Sequence, residues 1–162
     1  MPNRLRYDWR LRRTPQENER GASAVEFALV MPFLMLIVFG IIVYGMVFAQ
    51  SLSLSNAARQ AARSGVIDGT TCSQITQLSH DAAGTVGMDG SAATVTITTG
   101  TSEASAKSNP VCTTGGSPPP CKGTTAGTNV YVTLTYNTNP VVPFVPVPSK
   151  LMGTGVYRCE FS

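Results

Sequence analysis

The sequence predicts an α+β protein. A long N-terminal helix, half transmembrane and half stalk, carries a small disulfide-bearing head of one short helix and an antiparallel β-sheet. Three observations predict it. Phe27–Ala49 is a run of 23 residues without a formal charge. Residues 50–66 continue it with alanine-rich helical periodicity. Beyond residue 90, three short stretches alternate apolar and polar residues, the pattern of half-buried strands.

The front of the chain is set by charge. Of 162 residues only 13% are charged, against about a quarter in an ordinary soluble domain. The net charge is +3, and all of it lies in residues 1–20, which hold six arginines and three acids. A basic tail suits nucleic acid in isolation. Beside a long apolar run, the positive-inside rule explains it instead, so no nucleic-acid partner is expected. Residues 2–20 read as a disordered cytoplasmic tail, with Tyr7, Trp9 and Leu11 as exposed aromatic and apolar residues within it. The divisions are a leader over 1–21, a transmembrane and stalk helix over 22–66, and an extracytoplasmic head over 67–162.

Twenty-three helical residues span about 34 Å, against about 30 Å of hydrocarbon. The run is too long for the apolar core of a cleaved secretory signal, although Ala49–Gln50–Ser51 mimics a small-residue site. It therefore reads as an uncleaved span over 27–49, N-terminus inside. Pro32 removes one backbone donor within it, and Gly40, Gly45 and Ala49 offer a weak helix-packing pattern. In the stalk, Leu52, Ala58, Ala62 and Val66 are expected on one face, and Asn56, Arg59, Gln60 and Arg63 mostly on the other. Gly65 is the expected stop.

The head begins with a second amphipathic helix over 73–86, with Ile75, Leu78, Ala82 and Val86 inward and a stop near Gly87. Strands are expected at 93–99, with Val95 and Ile97 inward, at 130–136, with Val130, Val132, Leu134 and Tyr136 inward, and at 155–161, with Tyr157, Cys159 and Phe161 inward. Thr99–Asn129 reads as a Thr/Ser/Gly loop around Pro118–Pro120. Pro140–Pro148 has too many prolines to pair as a central strand. Its apolar residues need cover from the stalk, the bilayer surface or another subunit.

Cys72, Cys112, Cys121 and Cys159 all follow the apolar run, and an even count there predicts two disulfides. Three connectivities are possible. Cys112–Cys121 with Cys72–Cys159 is the expected pair. A zinc site is disfavoured, because close cysteine pairs and companion histidines are missing.

Catalytic chemistry finds no foothold. His80 is the sole histidine; its neighbours Ser79 and Asp81 point elsewhere on a helix, and an exposed side chain is expected. No paired acids, phosphate loop or dinucleotide glycine pattern occurs. No enzyme, metal, cofactor or small-molecule substrate is expected.

Arg20–Gly21–Ala22–Ser23–Ala24–Val25–Glu26–Phe27, followed by Ala28–Leu29–Val30–Met31–Pro32, resembles the N-terminus of TadE-like proteins, pseudopilins of the tight-adherence (Tad/Flp, type IVb) pilus system. Asn56–Arg63 is similar to that family's Ala/Arg-rich helix extension, and Val156–Glu160, more weakly, to its last strand. Residues 67–150 match nothing of the family. The resemblance implies cleavage by a prepilin peptidase between Gly21 and Ala22, on the cytoplasmic side. Glu26 would then be the fifth residue of the mature chain, beside Phe27, pairing with the new amine of a neighbouring subunit. The implied partners are the peptidase, other pilins and pseudopilins of the Tad system, and the inner membrane. Entry into the filament and a place at its base both stay open. The alternative is an unprocessed single-pass scaffold or receptor of an envelope complex.

Overall fold

The computed structural model of the chain describes residues 16–84, 88–112, 119–138 and 146–160. The fold is α+β: a long N-terminal helix, short helices, a four-stranded antiparallel sheet and two disulfides in the head. Two compact units divide at Ile41/Ile42. Helix α1 runs over Gln16–Gly65 with Pro32 inside it. It starts six residues before Ala22, so 16–20 are helical where a disordered tail is expected. Gln, Glu and Arg there are good helix formers, and acids in the first turn suit the helix dipole.

Within the second unit, α1 buries Leu54, Ala57, Ala58, Ala61 and Ala62, while Asn56, Arg59, Gln60 and Arg63 face solvent. The alanine face is as expected, but its large apolar member is Leu54, fully buried, and Leu52 is half exposed at 50%. Leu54, Ala58 and Ala61 are spaced by four and three, the ridge of one helix face. Leu52 falls off that ridge.

Gly69, at φ +82°, turns the chain after α1 in a backbone conformation that glycine adopts without strain. Helix α2, Cys72–Ala83, opens on a capping box. The Gln74 amide donates to Thr71 Oγ1, and the Thr71 amide to Gln74 Oε1 at 2.9 Å. Its buried residues are Cys72, Ile75, Ser79 and Ala83, with Leu78 and Ala82 half buried. It stops at Gly84, three residues before Gly87; Val86 and Gly87 lie outside the described residues.

The sheet order is β2-β1-β3-β4, antiparallel throughout. Its strands are β1 Thr94–Gly100, β2 Pro110–Cys112, β3 Asn129–Asn137 and β4 Lys150–Arg158. Val130, Val132 and Leu134 are fully buried with Ile97, as their alternation predicts. Val95 and Tyr136 pack at the edge of this core. Each such aliphatic side chain removed from water stabilises the fold by about 1.5–3 kcal/mol.

Three expectations about the loops, the last strand and the bridges of the head are corrected. The stretch 99–129 is not loop throughout. Ser102 and Ser105 form a capping box for α3, Glu103–Lys107, and β2 follows and pairs with β1. The signals were two serines three apart and an exposed Glu103–Lys107 ion pair at 3.0 Å, neither of them apolar. The last strand spans 150–158 rather than 155–161. It buries Leu151, Gly153 and Gly155, with Tyr157 40% exposed and Phe161 outside the described residues. Glycine is poor in strands by propensity, but here its lack of a side chain is used. A Cβ on Gly153 would press on the Leu54 carbonyl and lie 2.7 Å from the Ser55 nitrogen. One on Gly155 would press on the Ala58 carbonyl and lie 2.7 Å from the Arg59 Cα. Strand β4 therefore rests backbone to backbone on α1.

The third correction is the disulfide pairing, which is Cys72–Cys112 and Cys121–Cys159. The Cα atoms lie 5.8 and 5.7 Å apart, within the bridgeable range. Topology explains it. The chain between β2 and β3 crosses from one side of β1 to the other, which separates Cys112 from Cys121 despite their closeness in sequence. Cys112 remains on the β2 edge. Asn129, at the start of β3, pairs with Arg158, and the Cys159 amide donates to the Thr128 carbonyl at 2.9 Å. That brings the turn before β3, with Cys121, beside the end of β4.

His80 is half buried rather than exposed; its Nε2 lies 3.1 Å from the Ala93 carbonyl, linking α2 to the start of β1. Nearby, Asp89 Oδ1 accepts from the Ser91 hydroxyl at 2.7 Å and from its amide at 3.0 Å. These bonds, the hydroxyl foremost, hold the carboxyl below its ordinary 3.8. A depressed folded value contributes stability above the unfolded value. That contribution is lost as pH falls through the folded one. Asp89→Asn is therefore expected to flatten slightly the loss of thermal stability below about pH 4, read as melting temperature against pH. An identical acid limb in the variant would refute it.

Candidate processing and assembly site

The first unit is simple. From Gly21 to Phe39 every residue of α1 is exposed, including Val25 at 62% and Phe27 at 68%. A Cβ at Gly21 would meet nothing within 4 Å. Ala22 and Glu26 are four residues apart on α1, hence on one face a turn apart. Gly21 immediately precedes Ala22, and Phe27 immediately follows Glu26. Helix geometry thus sets the spacing of Gly21, Ala22, Glu26 and Phe27.

Gly21–Gly65 includes an 18-residue window of mean hydropathy 2.7, of which 6% is buried. Among the described residues this is the one helix long and apolar enough to cross a membrane. Glu26 lies near its start.

The cysteines form no site of their own, all four being paired. Among the described residues no three His, Cys, Asp or Glu side chains lie together as a metal site. An open depression of about 360 Å³ is lined by hydroxyls and amides including Thr99, Ser105, Asn109 and Thr128. Several of these hydroxyls are engaged locally. Thr128 donates to the Thr125 carbonyl at 2.7 Å and Ser105 to the Ser102 carbonyl at 2.9 Å.

Two contacts escaped the sequence reading. One is the glycine seam of β4. Its signal was two glycines one residue apart in Leu151–Val156, which reads as loop unless a close-packed backbone is imagined. The other is the Tyr44 hydroxyl, which donates to the Pro146 carbonyl at 2.8 Å. It attaches the described end of the proline-rich segment to α1; 139–145 lie outside the described residues. A tyrosine inside an apolar run gave no hint of a partner 102 positions away.

Among the described residues, one apolar helix long enough to cross a membrane continues into a disulfide-bonded α+β head, the arrangement of a membrane-anchored protein. Residues 21–63 match the family model described as TadE-like protein. The chain thus carries a TadE-like segment that coincides with its long apolar helix. No curated protein and no solved structure matches the chain.

Proposed function

We propose that the protein is a minor pseudopilin of a tight-adherence (Flp, type IVb) pilus. In this reading it is held in the inner membrane with its N-terminus in the cytoplasm and its head outside. A prepilin peptidase removes residues 1–21, and the mature chain acts through contacts with other pilins and pseudopilins. The observation that carries this is the coincidence of two boundaries. The TadE-like match begins at residue 21, the glycine before the cut, and an exposed apolar helix with Glu26 near its start follows.

The chemistry at the cut is backbone chemistry. The scissile bond lies inside α1, so a peptidase must first unwind it. Glycine costs a helix about 1 kcal/mol relative to alanine, which makes Gly21 the cheapest place to open. Glu26 then acts electrostatically. A carboxylate at the centre of a membrane helix costs about 2.5–3.5 kcal/mol on insertion scales, and less near the end. The α-amine freed at Ala22 supplies the opposite charge. In the same chain it lies one turn below Glu26, and in a neighbour it offers the cation that assembly requires. Phe27 adds apolar surface beside the acid for helix packing.

Co-expression with a prepilin peptidase and intact-mass measurement tests the reading. The expected product lacks residues 1–21, and Gly21→Leu is expected to abolish the loss. An unchanged mass in the parent chain would favour the plain membrane-anchored scaffold or receptor. Glu26→Gln is expected to be cleaved like the parent yet to support fewer pili by electron microscopy. Normal piliation with that variant would remove Glu26 from assembly.

A further inference from the structure

We infer that the open edge of strand β4, Lys150–Arg158, receives an extended strand of a different polypeptide, one with acidic side chains opposite those two cations and apolar ones opposite Met152 and Val156. The inference concerns the head alone and holds whether or not the chain is cut at Gly21.

Hydrogen bonding is the first observation. Strand β4 ends the sheet order, with β3 on one side only. The register pairs Lys150 with Asn137 and Arg158 with Asn129. Just beyond the two ends, the Thr138 amide donates to the Ser149 carbonyl at 3.1 Å, and the Cys159 amide to the Thr128 carbonyl at 2.9 Å. In an antiparallel pair, residues bonded to the partner strand alternate with residues whose main-chain groups point away from it. Both ends agree on the phase. Leu151, Gly153, Gly155 and Tyr157 bond β3, while Lys150, Met152, Thr154, Val156 and Arg158 turn their amides and carbonyls to the open edge. No described main-chain group bonds them there. Such a row is a template for one more strand. Gly153 and Gly155 face α1, so the edge residues carry their side chains on the other face of the sheet. All of them are exposed, Met152 at 63% and Val156 at 46%.

Charge selects the occupant. Along the edge the side chains run cation, apolar, threonine, apolar, cation. Among the described residues neither Lys150 nor Arg158 has an ion-pair partner, the ion pair there joining Lys107 to Glu103. Glu160 lies past the end of the strand. On α1, exposed Arg59 stands beside Gly155, its Cα 2.7 Å from where a Cβ would be, and adds a third cation near the same edge. These charges exclude a second copy. Two β4 edges paired antiparallel about Thr154 would set Lys150 opposite Arg158 twice, and like charges directly opposite are destabilising. Shifting that register by two residues either puts Pro148, which has no N–H, opposite Arg158 or runs past the end of the strand. A strand with carboxylates spaced as Lys150 and Arg158 are turns both repulsions into attractive cross-strand pairs. Main-chain bonds then supply the hold, and the alternate side chains supply the selection.

Residue-resolved amide hydrogen exchange of the full chain in detergent micelles tests this, with the blocked peptide Glu-Thr-Val-Thr-Thr-Thr-Val-Thr-Glu as probe. Without peptide, the Met152, Thr154 and Val156 amides are expected to exchange several-fold faster than those of Leu151, Gly153 and Gly155. Millimolar peptide is expected to slow the edge set several-fold and to leave the inner set unchanged, a pattern of alternate residues that side-chain docking alone would not produce. The same peptide with lysine in place of both glutamates is expected to bind several-fold more weakly. The double variant Lys150→Glu with Arg158→Glu, both exposed positions, is expected to reverse that preference. Absence of edge protection by the acidic peptide would overturn the inference, as would equal protection by the two peptides. Slow edge amides in the peptide-free chain would also overturn it, assigning the edge to a second copy if dilution releases them and to the chain itself if it does not.

Discussion

Gly155→Val is expected to destabilise the head by about 3 kcal/mol. The new Cβ would meet the Ala58 carbonyl and the Arg59 Cα, and backbone on both sides leaves no flexible side chain to yield. Overpacking a core typically costs about 1–3 kcal/mol, occasionally more, and a rigid seam belongs at the upper end. Gly153→Val meets Leu54 and Ser55 in the same way and is expected to behave alike. For a domain of this size each kcal/mol lowers the melting temperature by roughly 4–8 °C. A fall of about 10 °C or more is therefore expected by thermal unfolding of the detergent-solubilised protein. Thr154→Val, between the two glycines and facing away from α1, is expected to stay within about 0.5 kcal/mol of the parent. Equal melting of the Gly155 variant and the parent would refute the seam.

The second large effect is loss of a disulfide. Cys121 and Cys159 are 38 residues apart, and Cys72 and Cys112 are 40 apart. In the chain-entropy model, loops of that length confer about 4 kcal/mol each. Replacing both members of either pair with serine is expected to lower the midpoint of chemical unfolding accordingly. For a head whose helix face is mostly alanine, that is a large part of its margin. Non-reducing peptide mapping is expected to recover Cys72 with Cys112 and Cys121 with Cys159. Recovery of Cys112 with Cys121 would contradict the sheet order itself, not merely one bond.

What could be read ahead of the structure was whatever is written locally. The alternation in Val130–Tyr136 needs only neighbouring residues to be seen, and β3 follows it. The uncharged run after Glu26 is equally local, and so is the TadE-like segment, whose signature lies within 43 consecutive residues. What was hidden depends on partners far away. The first half of strand β4, residues 150–154, was hidden because its glycine matters only against α1. Strand β2 holds three residues and exists because β1 offers an edge. Leu54 rather than Leu52 faces inward because the sheet lies on that side. The cysteine pairs follow from a crossover that no spacing encodes. The octapeptide differs again: it is helical, and exposed from Gly21 onward, while its cleavage and pairing rest on chemistry that other molecules must perform.

The glycine seam also has a mechanical side. Strand β4 and the upper part of α1 run in the same direction and touch along their main chains. A pull on the head along the helix axis would load this contact in shear. In shear, all contacts along the seam resist together, whereas a peeling force breaks them one at a time. Alanine and glycine have no long side chains that could rotate and let the surfaces creep. Tension or thrust reaching the head is thus delivered to the helix with little slack.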